Sequence, residues 1–287
     1  LPDNWQLAYG ETAFAFGSVS SGFVFPTAPE LSAAEIEHED ADVPRGDGVA
    51  FGSDFRRGST VTFSIDVNGA SPSDARARLS QLTRAWRADE VRSTPGATAR
   101  LISDTGRTAF GRPRRFAPDL EELPSGMAGA TADFATADDL WYGPEEFEVV
   151  PLVPALGGGL MAPLASPLAT TASSDRSQGI TVEGEVPTWP VFEVAGPITN
   201  PVVEIVGVLR LAFNLTLAYD ETLVVDTRPW VRSITRNGSS VRGSLSRTST
   251  RLSRAALPPG SHEVVLRGTS DGLASLAARW RPAFTTP

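Results

Sequence analysis

The 287-residue chain has no cysteine. That excludes disulfide scaffolds, thiol nucleophiles and cysteine-ligated metals, and leaves the redox compartment open. Lysine is absent too, so all 25 cationic side chains are arginines. Histidine occurs twice, methionine twice and tyrosine three times, so general acid–base chemistry has few candidates. No stretch reaches the roughly 18 uninterrupted apolar residues of a membrane span, and membrane insertion is not expected. Residues 1–30 lack a basic leader followed by an apolar core, so no signal peptide is expected in them.

Patterns that would carry chemistry are equally sparse. His38 lies in the acidic run Glu35–Asp42, and Glu35, Glu39 and Asp40 beside it are oxygen donors. Their spacing follows no known ligand pattern, which leaves a solvated acidic loop and no metal. His262 precedes an apolar strand with no partner for a catalytic role. There is no Gly-x-Ser-x-Gly elbow. Neither "GDGVAFG" nor "GGGLM" follows a strand and opens a helix, so neither reads as a phosphate cradle. "RPRR", Arg112–Arg115, is the sharpest basic cluster; on an acidic protein it reads as a protein contact or a solvated face. No pair of carboxylates stands out for glycoside hydrolysis. The expectation is a non-enzyme with no cofactor.

What the chain does contain is turns. With 23 prolines and 26 glycines it calls for many short strands. The formal charge of −9 is uneven: residues 200–287 carry 11 arginines and 6 acids, and residues 1–199 carry 14 arginines and 28 acids. An acidic front and a mildly basic back argue against general nucleic-acid binding and allow docking between unlike patches.

"NWQLAYG" and "ETAFAFG" alternate as half-buried strands do, and "STVTFSIDV" sends Val61, Phe63, Ile65 and Val67 to one side. "SPSDARARLSQLTRAWRAD" is the one convincing helix, about residues 71–89. Ser71 is its N-cap, Pro72 its first residue and Asp74 its dipole partner. Ala75, Leu79, Leu82 and Trp86 form its apolar stripe, with Arg76, Arg84 and Arg87 off it. "TARLISDTGRTAFGRPRRF" predicts a hairpin turning at Asp104–Gly106. "ATADFATADDLWYG" predicts one strand ending in Trp141-Tyr142, and "VPRGDGVAFGSDFRRG" a turn-rich connector. Residues 153–177 read as an extended arm. The remaining third is a series of short strands with a hairpin at Asn237-Gly238, which predicts an antiparallel sandwich. In "VAGPITNPVVEI" two prolines interrupt an apolar run. They predict strand ends, with Gly196–Pro201 crossing between strands 191–194 and 202–211. Trp189, Trp230 and Trp280 are expected in the sandwich core rather than on a sugar-stacking platform.

In order and spacing these pieces resemble the distal tail proteins of siphophages. "VPRGDGVAFGSDFRRGSTVTFSIDVNG" followed by a helix resembles their N-terminal domain. "FATADDLWYG" resembles the segment closing it, with Asp138-Asp139 where the family commonly has Asp-Pro. "EVPTWPVFEVAGPITNPVVEI", "LVVDTRP", "LPPGSHEVVL" and "AARWRPAF" resemble its galectin-like C-terminal domain.

The resemblance implies a mainly β fold. A tail-tube-like split β-barrel with one packed helix would occupy residues 1–144, and a galectin-like antiparallel β-sandwich residues 145–287. It implies a structural virion protein: a homohexameric hub at the distal end of the tail tube, connecting it to the tail tip or baseplate and to host-recognition proteins. Its partners would be further copies of itself, the tail tube protein, tail-tip proteins and the tape measure protein, with DNA only in passage. Arg76, Arg84, Arg87, Arg112, Arg114 and Arg115 are the candidate ring-contact residues. Glu35, Glu37, Glu39, Asp40 and Asp42 are the candidate acids lining the passage, where like charge would not hold phosphates. The competing readings are a free-standing glycan-binding module, which leaves the N-terminal half unexplained, and a wall-degrading enzyme, for which the residues offer no constellation.

Overall fold

The computed structural model describes residues 4–152, 178–270 and 272–287. The expected arm at 153–177 lies outside them. The chain divides into two compact units, residues 1–144 with 284–287, and residues 145–283.

The first unit is a strongly bent antiparallel sheet. Its strands are β1 (Trp5–Tyr9), β2 (Thr12–Phe16), β3 (Phe23–Val24), β4 (Glu30–Leu31), β9 (Thr60–Asn68), β10 (Ala99–Ile102), β11 (Thr108–Asp119), β12 (Met127–Thr136) and β13 (Trp141–Tyr142). They run in the order β2-β1-β10-β11-β12-β9-β3, with β4 also on β9 and β13 on β11. The two ends nearly meet. Gly17, just past β2, bridges to Val24 in β3, and its N–H donates to the Phe23 carbonyl at 2.7 Å. The sheet is therefore a split barrel.

Period-two burial closes its interior. Val61, Phe63, Ile65 and Val67 on β9 are all buried, as the alternation predicts. Each such side chain contributes on the order of 1.5–3 kcal/mol. Helix α1 (Pro72–Arg87) covers one side with Ala75, Leu79, Leu82 and Trp86 buried, and the Ser71 hydroxyl accepts from the Asp74 N–H at its start. Trp86 meets Phe16 at 5.7 Å and Phe63 at 5.8 Å edge-on, and Trp5 meets Phe63 at 5.3 Å and Trp141 at 5.7 Å. Such contacts add to area burial because ring edges and faces carry opposite partial charge. The last four residues return to this unit. The Arg107 guanidinium lies 3.8 Å from the Phe284 ring centre and donates to the Thr286 carbonyl at 2.9 Å.

Two expectations about this unit need correction. "ATADFATADDLWYG" is two strands: β12 ends at Thr136, a bend at Ala137–Leu140 follows, and β13 pairs elsewhere. "VPRGDGVAFGSDFRRG" is no simple connector. It holds β7 (Val49–Ala50) and β8 (Asp54–Arg56), which return against β6 (Ala41–Asp42) and β5 (Ile36–His38).

The second unit is an antiparallel sandwich. One sheet orders β14 (Glu146–Pro151), β24 (Ser275–Trp280), β16 (Val191–Ala195), β20 (Thr222–Asp226), β21 (Ser233–Arg236) and β22 (Ser239–Ser240) as β14-β24-β16-β20-β21-β22. The other orders β15 (Gln178–Val182), β23 (Gly260–Thr269), β17 (Ile198–Ile205) and β18 (Leu209–Ala212), with β19 (Thr216–Leu217) also on β17. Phe192, Val194, Val203, Ile205, Leu223, Val225, Leu266 and Leu276 fill the space between. Asn237 and Gly238 turn β21 into β22 with φ of 44° and 81°, the left-handed pair a two-residue hairpin requires.

The interrupted stretch differs from its sequence reading. Gly196-Pro197 does separate β16 from β17, but Pro201 ends nothing. It lies inside β17 at a bulge, where the pairing to β23 jumps from Thr199 to Val202. A bulge is the one place in a central strand where a missing N–H costs nothing.

Candidate assembly surface

Helix α1 presents one face to the barrel and the other to solvent. Arg76, Arg84 and Arg87 are exposed on the outer face. Arg87 pairs with Asp89 at 2.8 Å. Ala88 then takes a left-handed turn (φ 43°) into the short helix α2 (Asp89–Ser93). That turn aims Arg92 at β11, where one guanidinium nitrogen donates to the carbonyls of Pro113 and Arg114, each at 2.9 Å.

Those carbonyls are free because β11 bulges there. Its pairing to β12 jumps from Pro113 to Phe116, leaving Arg114 and Arg115 splayed outward and exposed. The "RPRR" cluster thus divides. Arg112 is half-buried and donates to the carbonyls of Ala97 at 2.7 Å and Thr94 at 2.8 Å. Arg114 and Arg115 face water, and with Arg76 and Arg84 they have no ion-pair partner among the described residues.

Between the end of α1 and the β11 bulge lies an open cleft of about 430 Å³, lined by Thr83, Trp86, Arg87, Asp89, Arg92, Arg114 and Phe116. The Trp86 indole N–H donates to the Asp133 carbonyl at 3.1 Å, which fixes the ring against the cleft's inner end. The cleft thus sets the half-buried Phe116 ring among the charged side chains of Arg87, Asp89, Arg92 and Arg114, with the fully buried Trp86 behind it. Sequence reasoning had its arginines but not the recess, because the recess depends on the β11 bulge and on Arg92 of α2 reaching backbone carbonyls there.

The acids lie on a two-stranded ribbon. Every residue from 35 to 57 is exposed. Ile36 pairs with Arg56, Glu37 with Phe55 and His38 with Asp54; further out Ala41 pairs with Ala50 and Asp42 with Val49. The returning strand therefore carries one extra residue, at Phe51–Ser53. There Gly52 comes so close that a Cβ would meet the Glu39 carbonyl oxygen at 1.9 Å, so only glycine fits. The Asp40 carboxylate accepts from the Gly52 N–H at 3.0 Å and pairs with His38 at 3.5 Å, and Glu37 pairs with Arg57 at 2.9 Å. Glu39 and Asp42 have no cationic partner among the described residues, while Glu35 lies close enough to Arg57 to help hold its charge. Ile36 (54%), Val49 (48%), Phe51 (88%) and Phe55 (52%) are exposed along the same ribbon.

At the ribbon's root Arg56 pairs with Asp139 at 3.1 Å. The adjacent Asp138 carboxylate accepts from the Tyr142 hydroxyl at 2.5 Å and from the Leu140 N–H at 3.3 Å. Burial nonetheless pushes its pKa up to about 6: these donors only partly offset the lost solvation, and the like charge of the nearby Asp139 adds to the rise.

In the second unit Trp280 is buried, and Trp189 and Trp230 are half-buried. The His262 ring bonds the Pro258 carbonyl at 2.8 Å. Among the described residues no three His, Asp or Glu side chains are grouped to hold a metal, and no helix is long and apolar enough to cross a membrane.

No protein-family model matches the chain, and neither does any curated protein. Solved structures do match. The Dit protein of phage SPP1, described as a paradigm of the hub adsorption apparatus in phages infecting Gram-positive bacteria, has a TM-score of 0.59 at 16% identity, over 98% of this chain and 99% of that one. The phage P2 baseplate in its activated conformation matches at TM-score 0.53 over 96% of this chain and 97% of that one, at 12% identity with calcium and 11% with strontium. Across both units, split barrel and sandwich together, the chain has the fold of a Dit-like phage tail hub protein.

Proposed function

We propose that this chain is the hub at the distal end of a siphophage tail, a ring of six copies connecting the tail tube to the tail tip or baseplate. The observation that carries the reading is fold likeness to the SPP1 hub over nearly the full length of both chains. A chance likeness of one β-sandwich to another would not extend through the split barrel as well.

In this reading the first unit builds the ring, and the second carries peripheral and host-recognition parts outward. A closed ring needs a heterologous interface, two different patches meeting head to tail. The outer face of α1 and the arginines of the β11 bulge supply one patch, and the acidic ribbon supplies a different one. The ring's partners are the tail tube protein, the tail-tip proteins and the tape measure protein, and DNA passes through without being bound. The protein is a virion component with a scaffolding role and no catalytic one.

Light scattering after size exclusion across a concentration series tests the ring. Six copies of the 30.4 kDa chain give a species of about 180 kDa. A stable dimer, or an oligomer of open-ended size, would count against a closed hexamer.

A further inference from the structure

We infer that the 35–57 ribbon of one copy docks on a second copy of this chain, with Phe51 in the recess between α1 and the β11 bulge and its carboxylates against the arginines of the rim. The inference rests on the hub reading and names the contact that reading leaves open.

The ribbon cannot be at ease where it stands. A two-stranded ribbon is marginal in water without a third strand or a packed face. This one exposes Ile36, Val49, Phe51 and Phe55, with Ile36 and Phe55 on opposite faces by its register, and the most exposed, Phe51 at 88%, stands at the extra residue of the returning strand with no cover of its own. The same side chains argue against leaving it in a water-filled passage, as the acids alone had suggested. The seven carboxylates among residues 35–57, against three arginines, make an anionic membrane an unsuitable cover.

The recess has the complementary character. The half-buried Phe116 ring lines it, backed by the buried Trp86; Arg87, paired with Asp89, and Arg92 and Arg114 line it too, and Arg84 and Arg115 adjoin lining residues in the chain. A volume of about 430 Å³ admits a phenyl ring. The ribbon acids without partners, Glu39 and Asp42, match the arginines without ion-pair partners, Arg84, Arg114 and Arg115. Each set pays desolvation only if the other answers it.

Size agrees as well. The ribbon's roughly 23 residues are one side of a standard interface, and eight extended residues from Glu35 to Asp42 reach about 25 Å. Ribbon and recess are different patches on one subunit, so the contact is heterologous and can close a ring.

The absence of native cysteine makes the test clean. Phe51→Cys is combined in one chain with Thr83→Cys, at the recess, and joined with a short bis-maleimide. The control pairs Phe51→Cys with Ser73→Cys, about 15 Å back along α1. The expected result is a ladder of covalent oligomers from the Thr83 pair and a several-fold weaker one from the control. A second measurement uses charge. Glu39→Arg with Asp42→Arg, or Arg84→Glu with Arg114→Glu, should each raise the concentration for half-assembly by on the order of 100-fold. Mixing the two variants should restore assembly, because each reversed ribbon then meets a reversed rim. An oligomer that forms without the Phe51–Thr83 link overturns the docking and leaves the hub standing. A monomer that forms no link also overturns the docking, and co-sedimentation with tail tubes then judges the hub separately.

Discussion

Asp138 gives the structure a pH dependence whose sign is the reverse of the usual carboxylate case. Its pKa is about 6 in the folded protein against an ordinary 3.8. The folded state thus binds the proton more tightly than the unfolded chain. Stability from this group is complete below the unfolded pKa and is lost as pH rises through the folded one, between about pH 4 and 6. A shift of about two units corresponds to about 3 kcal/mol at 1.36 kcal/mol per unit. The residue as a whole is only half-buried, so water reaching one side of the carboxylate reduces this to about 2 kcal/mol. Asp138→Asn removes the titration, and the amide can still accept from the Leu140 N–H and bond the Tyr142 hydroxyl. The assay is urea denaturation of both proteins from pH 4 to pH 7.5. The stability of the wild type relative to the variant should fall by about 2 kcal/mol across that range, which makes the variant the more stable protein at neutral pH. A difference that stays flat, or rises with pH, would refute the argument that burial dominates the Tyr142 and Leu140 hydrogen bonds.

Two further perturbations test the helix and its seat. Ser71→Ala removes the acceptor of the Asp74 N–H, 3.2 Å away, and should cost about 1 kcal/mol in the first unit's urea transition. Trp86→Ala empties a fully buried site and leaves the Asp133 carbonyl without its donor; a loss of about 3–5 kcal/mol in that transition is expected, and a loss under 1 kcal/mol would mean that α1 is not seated as described.

The parts of the fold legible in the sequence are those where local signals and burial agree. Strand β9 alternates because one face is core, and α1 announces itself through Ser71, Pro72 and its stripe. The split of "VVEIVGVLRLAFNLTL" into β17, β18 and β19 was not legible. An unbroken apolar run says that a segment is buried but does not show where it turns. Strand β14 was missed for a related reason: Phe147 and Val149 point to solvent, and Pro144 and Pro151 read as loop punctuation. The ribbon was hidden most completely. Its strands are two or three residues long and exposed on both faces, so no alternation marks them. Of the candidate site, the arginines and acids were visible as charge. The recess was not, because it depends on a bulge in β11 and on Arg92 reaching backbone carbonyls, neither of which has a side-chain pattern.

Pro201 shows what such a bulge permits and how to test it. Asn200 takes φ of 51°, and its N–H donates to the Leu215 carbonyl at 2.8 Å, away from the β23 ladder. Pro201 follows with no N–H to place, and its carbonyl accepts from the Phe213 N–H at 2.9 Å. In this arrangement Asn200 holds the backbone in its unusual conformation, while the proline is merely tolerated. Asn200→Val puts a β-branched side chain at positive φ and should cost about 1–2 kcal/mol. Pro201→Ala keeps every hydrogen bond and should cost less than about 1 kcal/mol, chiefly by loosening the unfolded chain. The order of the two losses, read from urea denaturation of the second unit, decides the matter. If Pro201→Ala were the more damaging, the ring and not the bulge would be shaping β17, and the prolines would be strand terminators after all.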